Sequence, residues 1–109
     1  MQDLQKEMRE LRNTLTLAIT ELKKRGREKA KAEMDYRVAL QKKMLLERNK
    51  GTPVTIISDI CRGDEGIAEL KMQRDITETF YETALQKIYQ CKLEIGIIEK
   101  EMEAERKGI

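Results

Sequence analysis

Between Ile67 and Met102 one set of positions recurs at spacings that alternate between three and four: Ile67, Leu70, Arg74, Thr77, Tyr81, Ala84, Ile88, Cys91, Ile95, Ile98 and Met102. Most of these side chains are apolar, and the pattern is an a/d seam held for about five heptads. A narrow apolar stripe on a charged rod is stable only when another helix covers it. The chain must therefore supply or recruit a second helix along this whole length.

The N-terminal half supplies one. Met1, Leu4, Met8, Leu11, Leu15, Ala18 and Leu22 keep the same alternation, and Asp3 suits the positive end of a helix dipole. The phase then carries Arg25 and Lys29 through the seam before Ala32, Tyr36, Ala39 and Leu46 restore it. Gly26 falls in this polar patch and costs roughly 1 kcal/mol of helix propensity relative to Ala, so the helix is expected to run on, bent or loosened there. The first helix is predicted over residues 2–50.

Asn49-Lys50-Gly51-Thr52-Pro53 breaks it. Gly51 is a natural C-cap, while Thr52 followed by Pro53 has the form of an N-cap and a first helical residue. A short helix over 53–62 follows, with Val54, Ile56, Ile57, Ile60 and Cys61 as its apolar side, and Asp64 is placed to cap a third helix over 65–107. The predicted fold is one all-α domain spanning residues 1–109, an antiparallel coiled-coil-like hairpin with a short helix at its tip. Pairing positions whose numbers add up to about 113 sets Leu46 opposite Ile67, Ala32 opposite Tyr81, Leu22 opposite Cys91, Ala18 opposite Ile95 and Leu11 opposite Met102, joining a to d positions as antiparallel coils require.

Only 39% of the 109 residues are apolar and another 39% are charged, so a lone hairpin buries little core. Yet many apolar side chains lie off the seam: Leu17, Ile19, Val38, Leu40, Met44 and Leu45 on the first arm, and Met72, Leu85 and others on the second. Either the short helix folds over some of them or the hairpin packs against copies of itself into a helical bundle. Self-association is the expectation, with Ile76, Phe80, Tyr89, Leu93 and Ile97 as the oligomer contacts.

Chemistry is harder to find. The chain has no His, which removes the usual general base and any His-bearing metal site, and Cys61 and Cys91 have no framework spacing. Glu94, Glu99, Glu101, Glu103 and Glu105 are interleaved with Lys100, Arg106 and Lys107, a pattern of ordinary ion pairing. No enzyme activity, metal or cofactor is expected. Scattered methionines read as core filler, and Arg62-Gly63-Asp64 as cap chemistry. With 22 basic and 20 acidic residues, no global field draws in nucleic acid or membrane. The start of the chain lacks the charged-then-apolar run of a secretory signal, and no apolar stretch approaches the roughly 20 residues that cross a bilayer. A soluble intracellular protein is expected, with no membrane partner.

Two surfaces remain as candidates for recognition. One is the tip, where Val54, Ile57, Ile60, Arg62 and Asp64 could meet another protein. The other is the run from Lys23 to Lys31, with six positive charges in nine residues. There Lys24, Arg25, Arg27, Lys29 and Lys31 are candidates for holding the phosphates of a nucleic acid or signalling nucleotide, although no aromatic is interleaved for base stacking.

Ala32-Glu33-Met34-Asp35-Tyr36-Arg37, Gly51-Thr52-Pro53-Val54-Thr55, Gln73-Arg74-Asp75 and Tyr81-Glu82, set in two long charged helices, resemble small coiled-coil proteins of unassigned function from tailed phages and prophages of Gram-positive bacteria. The resemblance implies a setting in the cytoplasm of a bacterial host cell; with no catalytic pair in the sequence, the role expected is that of a non-enzymatic binding protein that modulates or inhibits a host protein, an antiviral defence system included. The alternatives are a helical oligomer that binds or sequesters nucleic acid or a signalling nucleotide, and a structural or assembly scaffold.

Overall fold

The computed structural model describes residues 2–108 and contains three helices, α1 (Gln2–Asn49), α2 (Val54–Gly63) and α3 (Glu65–Arg106), with no strand among those residues. Met1, the first expected seam position, lies outside the described residues. The predicted all-α plan of long, short and long helix holds to within a residue or two at each end. α1 passes through Gly26 without a break, because one glycine costs less than interrupting a helix already propagated on both sides. No helix is long and apolar enough to cross a membrane among the described residues.

The chain divides into two compact units, an arm unit made of the residues up to Arg25 and from Tyr81 onwards, and a tip unit spanning Gly26–Phe80. In the arm unit the expected seam faces inward. Leu4, Met8, Leu11, Leu15 and Leu22 on α1 are half-buried and Ala18 is buried, while Ile88, Cys91 and Ile98 are the buried centres of α3. Fully burying an isoleucine such as Ile88 or Ile98 contributes roughly 1.5–3 kcal/mol before the entropy of ordering is deducted, and the half-buried leucines contribute less. The register differs from the expected one: Leu11 lines one groove with Ile97 and Ile98, one turn short of Met102.

The tip unit shows the same displacement. Arg74 sits 3.7 Å from Glu33 and 4.7 Å above the Tyr36 ring, where the expected register puts Ala39 opposite it. Lys43 and Asp64, 3.7 Å apart, mark the near end of the same antiparallel pairing. Leu46, expected to cover Ile67, is 49% exposed, while Glu47 beside it is only 6% exposed. The reason is α2, which fills this end of the hairpin with Ile57 and Cys61, both buried. Cys61 and the buried Ile67 border one groove, so Ile67 does not need Leu46.

The corner explains the rest. Gly51 has φ 81°, a left-handed conformation that glycine adopts without the Cβ penalty. Around it Thr52 N–H donates to the Glu47 carbonyl at 3.1 Å and Gly51 N–H to the Arg48 carbonyl at 3.0 Å, the paired bonds of a Schellman C-cap. Thr52 was expected to cap α2 and does not. Its hydroxyl turns back to donate to Glu47 Oε2 at 2.7 Å, because its own backbone is already committed to the end of α1. Pro53 takes the N-cap position with no side-chain bond. Asp64 does cap α3, its Oδ2 accepting from Ile67 N–H at 3.0 Å.

Candidate functional site

The tip unit holds the features best suited to recognition. α2 is anchored on one side by Ile57, 3% exposed, and Cys61, 1% exposed, and at its two ends by the Thr52 and Asp64 bonds. Its remaining surface carries Val54, 77% exposed, and the exposed Ile56. Of the expected tip residues, Val54 and Arg62 are displayed, and Ile60 is half-buried. Asp64 is occupied as a cap and lies near Lys43. Ile57 is a core residue, not a surface one: at helical spacing it shares the buried face with Cys61. Ile56, counted on the apolar side of α2 but not among the expected contact residues, is the isoleucine that faces outward, since the sequence does not say which side of so short a helix turns inward. Arg62 lies 3.8 Å from Asp59 and 3.4 Å from Ser58 Oγ on its own helix.

Beside α2 opens a groove of about 1030 Å³ whose walls are Tyr36, Leu40 and Met44 on α1 and Met72, Ile76 and Phe80 on α3. Met72, Ile76 and Phe80 are exposed, so this apolar strip belongs to the off-seam residues that α2 leaves uncovered. Lys71 and Asp75 line it too. Asp75 Oδ1 accepts from Arg74 at 3.1 Å, and that bond, with the nearby Glu33 charge, holds the guanidinium above its already high ordinary pKa. Stacking on Tyr36 and pairing with acids is how a cation is tolerated at a seam position.

Glu47 is the most buried charged group among the described residues. The Thr52 hydroxyl chiefly, and then the ammonium groups of Lys43 and Lys50, hold its carboxyl below the ordinary range against the opposing effect of burial. Lys43 is raised in turn, first by its hydrogen bond to Glu47 and then by the charges of Glu47 and Asp64. This cluster locks the corner.

The basic run is divided between the units. In the arm unit Lys24 is exposed and Arg25 pairs with Glu21 at 2.7 Å. In the tip unit Arg27 is exposed, Lys29 is half-buried, and Lys31 pairs with Asp35 at 2.8 Å. These are bonds between residues one turn apart, the usual state of charges on a solvated helix face. The expected oligomer contacts Ile76 and Phe80 are exposed in the tip unit, as are Tyr89, Leu93 and Ile97 in the arm unit. No group of three or more His, Cys, Asp or Glu side chains forms a metal cluster among the described residues. No protein-family model matches the chain, and no curated protein and no solved structure matches it either.

Proposed function

We propose that this protein acts by docking onto another protein through its α2 tip and performs no chemistry itself. The observation that carries this reading is the division of labour on α2: Ile57 and Cys61 fasten the helix to the hairpin while Val54 and Ile56 stand in solvent. Val54 and Ile56 are two residues apart and point to different sides of the helix, so a partner would wrap the exposed end of α2; an anchored helix is pre-organised, and little ordering entropy is lost when it is covered. The resemblance to small phage coiled-coil proteins makes a bacterial host protein the partner class, and modulation or inhibition of that protein, an antiviral defence system included, the consequence. Nucleotide or nucleic-acid binding is less favoured: Lys24 and Arg27 are exposed, but Arg25 and Lys31 already pair along their own helix.

The test is affinity capture from bacterial host extract with wild-type protein and with Val54→Asp/Ile56→Asp, both verified as folded by circular dichroism. Capture of one saturable host protein that the tip variant loses supports the reading. Equal capture by both proteins, or no saturable partner, overturns it.

A further inference from the structure

We propose that the groove beside α2 is a two-fold interface in which α3 of a second copy of this chain lies antiparallel to α3 of the first. The groove is walled on one side by Met72, Ile76 and Phe80, which recur at every fourth residue and form an exposed amphipathic stripe. A groove of this shape accepts a helix with apolar anchors at that spacing, and its own wall is such a helix. A two-fold pairing satisfies donor and acceptor surfaces at once, because the same patch is buried on both copies.

Charge selects the second copy over an unrelated helix. Lys71 and Asp75 line the same wall one turn apart and carry opposite signs. With the dyad at Arg74, each copy's Lys71 falls about 3 Å along the axis, two residues of helix rise, from the level of the other's Asp75, within reach of a lysine side chain, giving two reciprocal ion pairs from one helix segment. The same register sets Met72 opposite the second copy's Ile76 and Phe80 opposite its Ala68, a large side chain against a small one, as interdigitated packing requires. Ala68 also lines the groove. The groove lies wholly within Gly26–Phe80 and neither Val54 nor Ile56 lines it, so the dimer is tested separately from the tip reading.

The experiment is sedimentation equilibrium of wild-type protein, Lys71→Glu, Asp75→Lys and the double exchange, with helicity checked by circular dichroism. Wild type is expected at twice the monomer mass. Each single exchange sets like charges opposite each other twice and weakens the dimer by about tenfold or more. An equimolar mixture of the two single variants restores opposite signs and reassociates, and the double exchange dimerises as wild type does. A wild-type monomer at every concentration overturns the proposal, whether or not its groove then takes up a foreign amphipathic peptide. So does a dimer that neither single exchange weakens, or a mixture that associates no better than its components.

Discussion

Thr52 Oγ1 donates to Glu47 Oε2 at 2.7 Å, while the Thr52 amide donates to the Glu47 carbonyl at 3.1 Å, so one residue of the corner closes both the backbone and the side chain of the last turn of α1. Thr52→Val keeps the shape and the amide bond and removes only the hydroxyl. It is expected to cost about 1 kcal/mol, measured by urea unfolding. An unchanged midpoint would show that the hydroxyl bond has no net value.

The same pair sets an acid response. The Glu47 carboxyl is held below its ordinary value of 4.5, so its contribution is complete above that value and is lost as pH falls through the lowered one. Lys43 is raised above its ordinary 10.5, so its contribution is complete below that value and fades as pH rises past it. Glu47→Gln is expected to flatten the acid limb of a stability-against-pH curve and leave the neutral plateau lower. Parallel acid limbs for variant and wild type would contradict the assignment.

Asp64 has two roles that substitution can separate. Asp64→Ala removes the α3 cap and is expected to cost about 1 kcal/mol. Asp64→Asn keeps an oxygen for the Ile67 amide, loses only the charge facing Lys43, and should retain most of the stability. Equal losses from both would place the value in the charge and not in the cap.

Ile57→Ala is expected to cost about 2–4 kcal/mol, because the side chain is buried and shares with Cys61 alone the buried face of α2. Limited proteolysis should then cut first within α2. A variant as resistant as wild type would mean that the helix does not depend on this contact.

Gly51→Ala places a Cβ in a left-handed conformation and is expected to cost about 1–2 kcal/mol, with Gly51→Asn milder. Thermal unfolding ranks the three proteins. If alanine matched glycine, the corner would have to tolerate another backbone path.

The α3 seam was legible residue by residue from Ile67 to Met102, because a period held that long has one structural solution. α1 followed as far as Ala39. Legibility failed at Leu46, Glu47 and Thr52, and for one reason: hydropathy cannot foresee that a carboxylate will go inside when a threonine hydroxyl and two ammonium groups wait there, nor that a threonine before proline will serve the helix behind it. The register slipped by a turn with it, since pairing is set by how the corner and α2 fill the end of the hairpin and not by the seam alone. The tip was found, but which of its isoleucines turns inward needed three dimensions.

Cys61 and Cys91 are both free and both buried, one in the tip unit and the other in the arm unit. Neither thiol can meet a reagent until its surroundings open. Their relative alkylation rates therefore report which part of the molecule loosens first, without any label having to be engineered into it.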